Sequence, residues 1–93
     1  MDPNKYMPVD WNITTLNSSQ NKKFDCNTLV FYNQGTQNVS IDANLLLTPG
    51  ASFTFECYPG EMQQHSFDIT FLNDRAPGAN LVVIEKIYKP KTS

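Results

Sequence analysis

Between Ser52 and Phe71 the chain alternates apolar and polar positions twice. Phe53, Phe55 and Cys57 alternate with Ser52, Thr54 and Glu56, and Phe67, Ile69 and Phe71 alternate with Ser66, Asp68 and Thr70. Successive side chains of a strand point to opposite faces, so each stretch offers one apolar face. A helix would scatter the same residues around its axis. The seven residues from Pro59 to His65 are mostly polar, which predicts an antiparallel hairpin with its aromatic face buried.

The same rhythm marks further strands. Thr28–Asn33 (TLVFYN) is apolar or aromatic from Leu29 to Tyr32, as expected of a strand covered on both faces. Val39 and Ile41 point inward from Asn38–Asp42, and Leu45 and Leu47 continue the inward set. Ala51–Tyr58 and Ser66–Leu72 are the two arms of the hairpin. Asn80–Tyr88 closes the series, and its run Leu81-Val82-Val83-Ile84 predicts a central strand or one covered by a partner.

Turn chemistry falls between these segments. Pro49-Gly50 and Pro59-Gly60 suit type II turns, with Pro second and Gly third. Gly35, in Asn33-Gln34-Gly35-Thr36, is expected to supply a positive φ. Asp42-Ala43-Asn44 and the run from Asn73 to Gly78 complete the set. Six or seven short strands so punctuated predict an all-β fold: a small antiparallel β-sandwich or jelly-roll-like barrel.

Residues 1–24 read differently. Pro3 and Pro8 oppose a helix, and Asn, Ser and Gln crowd the second half. Val9, Trp11 and Ile13 alternate with Asp10 and Asn12, which allows one short strand. The segment is therefore expected to be an extended N-terminal arm, with residues 25–93 forming a single β-sandwich domain. Trp and Tyr rarely occur in tails that stay fully solvated, so the arm is expected to lie on its own sandwich or on a neighbouring subunit.

Composition narrows the function classes. Ninety-three residues make one domain, and a domain this small leaves much of its surface uncovered. A net charge of −2 argues against nucleic acid as a partner, which requires a positive surface. No run approaches the length of a membrane span. Residues 1–24 lack the apolar core of a leader peptide, so synthesis in the cytoplasm is expected. Cys26 and Cys57 are expected to be free thiols. Three Asn-x-Ser/Thr triplets, at Asn12, Asn17 and Asn38, would accept glycans in a secreted eukaryotic protein, but a chain so rich in Asn, Ser and Thr yields such triplets from composition alone.

Candidate chemistry is sparse. His65 is the one histidine, and its neighbours Glu61, Ser66 and Asp68 have the composition of any polar loop entering a strand. Nucleophilic catalysis needs an activated Ser, a base and an orienting carboxylate together. Two thiols and one His make a poor metal set, and the glycines stand singly rather than in a phosphate-binding loop. The expectation is a protein that is not an enzyme, with no catalytic, cofactor or metal residues. Tyr6, Met7, Val9, Trp11, Val82, Ile84 and Tyr88 are the interface candidates, because they are apolar groups on segments poorly placed to bury them alone. Tyr32, Tyr58, Tyr88 and Trp11 could instead line a sugar-binding platform, which leaves a carbohydrate-binding or adhesion module as the alternative.

The stretch Leu29–Phe55 reads LVFYNQGTQNVSIDANLLLTPGASFTF. It resembles small virion proteins of tailed bacteriophages: an apolar strand, N-x-G-T, a V-x-I strand, a leucine-rich turn and L-x-P-G-x-S-F. With a second hairpin like Ser66–Leu72 and a last apolar strand like Leu81–Tyr88, the resemblance covers about two-thirds of the chain. It implies a structural or assembly role in capsid decoration, collar or tail, made in the host cytoplasm and residing in the virion. The partners it implies are copies of itself, in a homo-oligomer, and other virion proteins.

Overall fold

A computed structural model describes residues 8–88. Among them lie eight strands: β1 (Val9–Leu16), β2 (Gln20–Lys23), β3 (Thr28–Asn33), β4 (Val39–Ile41), β5 (Leu45–Leu47), β6 (Ser52–Glu56), β7 (Ser66–Phe71) and β8 (Leu81–Tyr88). They form two four-stranded sheets, a front sheet of order β1-β8-β3-β6 and a back sheet of order β2-β7-β4-β5. Every pairing within them is antiparallel. The fold is all-β and a sandwich, as the alternation predicts.

The order has a simple origin. β1 pairs with β8, β2 with β7, β3 with β6 and β4 with β5. The chain is thus one long hairpin that turns between β4 and β5. Rolling that hairpin brings β3 against β8 and β4 against β7, and the two sheets result. This is the jelly-roll wrapping of eight strands.

The core lies between the sheets. The front sheet contributes Leu29, Phe31, Leu81 and Val83, and the back sheet Val39, Ile41, Leu47, Phe67, Ile69 and Phe71, all buried. Phe24, between β2 and β3, is buried with them. Phe31 and Phe67 meet edge to face across the gap at 5.3 Å, and Phe24 meets Phe31 in the same way at 5.9 Å. Such pairs add to the burial of large aromatic area.

Four expectations are corrected. β6 and β7 do not form a hairpin. β6 pairs with β3 in the front sheet, and β7 lies between β2 and β4 in the back sheet. Their aromatic faces meet across the sandwich instead, with Phe55 and Phe67 5.1 Å apart. Alternation identifies the buried face of each strand but is silent about its partner. Phe53, expected in the core, is 42% exposed on β6, the edge strand.

The expected N-terminal arm is, from Val9 onward, part of the sandwich. β1 belongs to the front sheet and β2 to the back sheet, and Leu16 and Phe24 reach the core. Residues 1–7 lie outside the described residues.

Gly35 carries no positive φ. Its role is space: a Cβ there would collide with the Gly78 carbonyl oxygen. The turns at Gly50 and Gly60 do follow the sequence, with φ of 85° and 88° and closing bonds from Ala51 N–H to Thr48 O and from Glu61 N–H to Tyr58 O.

Two buried asparagines fix the loops that cross between sheets. The Asn33 amide donates to the Gln37 and Leu47 carbonyls at 2.8 and 2.9 Å, and its oxygen accepts from Gly35 N–H at 3.0 Å. The Asn27 amide donates to the Tyr58 and Glu61 carbonyls, both at 2.9 Å. Buried polar groups must find such partners, and here they satisfy loop carbonyls.

Candidate interaction face

The outer face of the front sheet is built by register. Leu81 and Val83 are fully buried, so Val82, Ile84, Lys86 and Tyr88 point away from the core. Opposite them on β1 stand Thr15, Ile13, Trp11 and Val9, and on β3 Tyr32 opposes Val82, Val30 opposes Ile84 and Thr28 opposes Lys86. β6 ends the rows with Ser52, Thr54 and Glu56.

The middle row is Ile13, Ile84, Val30 and Thr54. Beside it lie Thr15, Val82, Tyr32 and Ser52 on one flank, and Trp11, Lys86, Thr28 and Glu56 on the other. Trp11 is 53% exposed, Ile13 66% and Val9 37%, while Val30, Tyr32, Val82, Ile84 and Tyr88 are half-buried. The apolar groups are cross-strand neighbours in register, so they form one patch rather than scattered residues. A contiguous apolar patch on a small domain marks a contact surface. Lys86 and Glu56 are the charges within these rows. The Lys86 ammonium lies 5.9 Å from the Tyr88 ring centre, and the Tyr88 hydroxyl accepts from Gly60 N–H at 2.7 Å.

Five interface candidates from the sequence therefore share this face: Val9, Trp11, Val82, Ile84 and Tyr88. Tyr6 and Met7 lie outside the described residues. Ile13, Val30 and Tyr32 belong to the face and are missing from the sequence-derived set. Ile13 continues the Val9–Trp11 alternation, so that signal was present. Val30 and Tyr32 emerge only when β3 pairs with β8.

The inner side of the β1–β8 ribbon carries a part-buried polar pair. Glu85 is buried on β8, and the Asn12 amide donates to its Oε1 at 3.1 Å. Nearby burial, reinforced by the Glu85 charge, pushes the Cys26 thiol up to about 11, so it stays protonated and inert at neutral pH. Cys26 and Cys57 are both unbonded thiols.

His65 serves the back sheet. Its Nε2 lies 2.7 Å from Asp42 Oδ2, and its ring meets Phe67 edge to face at 4.5 Å. Asp42 and the next residue, Ala43, hold left-handed φ of 54° and 61° in the β4–β5 turn. Asp42 Oδ1 also accepts from Asp68 N–H at 2.8 Å. That backbone bond first, and His65 second, hold the Asp42 carboxyl below its usual range. The arrangement clamps a strained turn to the start of β7. Among the described residues, no three His, Cys, Asp or Glu side chains gather as a metal site.

A second surface feature lies at the β6–β7 loop. Glu56, Cys57, Tyr58 and Glu61 line an open depression, with Tyr58 79% exposed. Glu61 Oε1 accepts from Tyr58 N–H at 2.7 Å, which fixes the carboxylate against the loop. Set against family models, curated proteins and solved structures, the chain matches none.

Proposed function

We propose that this protein is a non-enzymatic assembly subunit that acts through protein–protein contacts made by the outer face of its front sheet. The observation that carries this reading is the patch of Trp11, Ile13, Val82, Ile84 and Val30 on a regular sheet. Protein interfaces combine such an apolar, aromatic centre with a polar rim, and here Thr15, Ser52, Thr54, Glu56 and Lys86 provide the rim. Tryptophan is enriched among interface hot spots.

The resemblance of Leu29–Phe55 to small phage virion proteins gives the setting: a capsid-decorating, collar or tail component, made in the host cytoplasm and carried in the virion. The jelly-roll wrapping is compatible with it, since viral capsid domains use this architecture, as do lectins and cupins. Fold alone does not choose among them; the apolar sheet face favours assembly.

The test is incorporation. Antibody against the chain, or mass spectrometry, is applied to purified particles of the phage that encodes it, with wild type and a Trp11→Ser/Ile13→Ser variant. The proposal expects the wild type in the particle and the variant depleted from it. A chain missing from particles, or a variant incorporated equally, overturns it.

The carbohydrate-binding reading has one observation of its own, the exposed Tyr58 ring beside Glu56 and Glu61. Sugars stack on such rings and bond such carboxylates. Glycan-array binding by the wild type that is lost in Tyr58→Ala would support it.

A further inference from the structure

The front sheet ends at β1, and among the described residues no strand lies on that strand's outer edge. β1 runs eight residues in unbroken register with β8, from Val9 opposite Tyr88 to Leu16 opposite Leu81. Backbone groups of a strand point alternately to its partner and away. The Trp11 N–H identifies the set that points away, because the adjacent Asp10 carboxylate holds it at 3.1 Å. Val9, Ile13 and Thr15 share that direction.

Stable monomers blunt such edges with short strands, Pro, Lys, inward charges or bulges. The other edges here obey that rule. β2 is four residues with two lysines, β5 is three residues, and β6 is five residues ending in Glu56. β1 (VDWNITTL) has no Pro, no Lys and no bulge, and Asp10 is its one charge. It is the longest edge, and its one guard is Asp10, whose carboxylate holds the Trp11 N–H.

Resting on the reading of this face as an assembly surface, we infer that a second copy of the chain adds its own β1 antiparallel to this edge. The two front sheets then form one sheet of eight strands. A two-fold axis normal to the sheet keeps both apolar faces on the same side, and it sets residues of equal parity opposite one another.

The side chains select the axis position. With the axis through Asn12, Trp11 faces Ile13 of the partner subunit, and Ile13 faces the partner's Trp11. Each is an aromatic–β-branched pair of the kind that stabilises sheets. Val9 faces the partner's Thr15, and Asp10 faces the partner's Thr14, so no like charges meet. An axis through Ile13 would instead set Asp10 against the partner's Leu16, a core residue only 7% exposed. In the Asn12 register the apolar patches of the two copies run together through Trp11 and Ile13.

This register makes a specific prediction for cross-linking. Asn12 faces its own counterpart in a non-hydrogen-bonded pair, with Cα atoms about 4.5 Å apart, within reach of a disulfide. The full chain carrying Cys57→Ser and Asn12→Cys is oxidised and run on a non-reducing gel. A disulfide dimer is expected. Asp10→Cys and Thr14→Cys, each tested alone, should give none, because each is displaced from its own counterpart by four positions. Mixed together they should cross-link, which tests the register without touching Asn12 or its bond to Glu85.

Sedimentation of the wild type should show a concentration-dependent dimer. Ile13→Lys should weaken it about tenfold, since two cross-strand pairs are lost at once, with an unchanged circular dichroism spectrum. Equal cross-linking at all three positions, or none in any variant, overturns the inference. A monomer that still enters particles through the front face overturns self-pairing alone; a monomer that enters none overturns the assembly reading as well.

Discussion

The two sheets share one core but present different faces to solvent. The front sheet shows Val9, Trp11, Ile13, Val30, Tyr32, Val82 and Ile84. The back sheet shows Asn21, Ser40, Ser66, Asp68 and Thr70, with Leu46 as its apolar exception within the strands. On the back face, the Asn21 amide bonds the Asp68 carboxylate, so even neighbouring side chains are matched to water. An antiparallel sheet with one wet face needs only such a pattern. The front sheet departs from it, and a domain that has already buried its core gains nothing internally from Trp11 at 53% exposure. The difference locates the surface that the fold alone does not require.

The largest expected effect tests what the sheets have in common. Phe67 on the back sheet packs against Phe31 and Phe55 on the front sheet, so Phe67→Ala should destabilise by about 3–5 kcal/mol in a urea titration, as core aromatic truncations do. Phe55→Ala should cost less, because Phe55 is only partly buried. Equal losses at Thr70→Ala would show that the inner and outer faces of β7 are misassigned.

Next is the seam between the sheets. Gly35 lies in the loop leading from β3 to β4, and Gly78 in the loop leading from β7 to β8. Gly35→Ala places a methyl against the Gly78 carbonyl, a backbone atom that cannot simply rotate aside. Overpacking of this kind costs roughly 1–3 kcal/mol, and thermal melts should show it. Gly50→Ala is the useful contrast. It meets no nearby atom, yet its φ of 85° still strains an alanine, so a loss there reports backbone conformation rather than contact.

How much of this was legible in the sequence follows from what alternation can and cannot say. Phe67, Ile69 and Phe71 announce a strand and its buried side, and the apolar run of β8 announces a central strand, which lies between β1 and β3. Partners are another matter. The proximity of β6 and β7 in sequence suggested a hairpin, but β6 completes the front sheet beside β3. β2 left no apolar signature, because QNKK sits at the back sheet's edge, where Gln20 and Lys22 are only half-buried and Lys22 lies over the Phe24 ring at 5.6 Å. Asn33 reads as a turn residue and is a buried loop anchor; Asn27, which carries no such signal, is another. The candidate face is half visible in the sequence: Val9, Trp11 and Ile13 share a strand face, but register with β8 and β3 is needed to join them to Ile84 and Val30.

Smaller in stability, and larger in association, are changes on the two outer faces. Trp11→Ser and Ile13→Ser should leave the urea midpoint almost unchanged, since both side chains are largely exposed. They should reduce self-association or particle binding. The matching back-face changes, Ser40→Ala and Thr70→Ser, should alter neither. If light scattering finds the back-face variants equally impaired, the contrast between faces fails.

The smallest effect is with pH. The Asp42 carboxyl is held low by Asp68 N–H and His65, and the Asp74 carboxyl by the Ser19 hydroxyl and N–H. Both folded values lie below the unfolded one near 3.8. Their contribution is therefore complete above the ordinary carboxylate range and is lost as pH falls through and below it. Both groups are exposed, so solvent screening keeps the effect small. Urea midpoints measured down to about pH 3 should fall less steeply for Asp42→Asn than for the wild type, and a steeper fall would reverse the assigned sign.

The face itself can be watched through the chain's single tryptophan, which stands on it. Trp11 emission and acrylamide quenching are followed while the protein is concentrated, or mixed with particle components, and light scattering records association in the same sample. The account predicts that Trp11 shifts to the blue and becomes protected from quencher in step with association. Association that leaves Trp11 emission and quenching unchanged would contradict it, because the contact would then lie on some other surface.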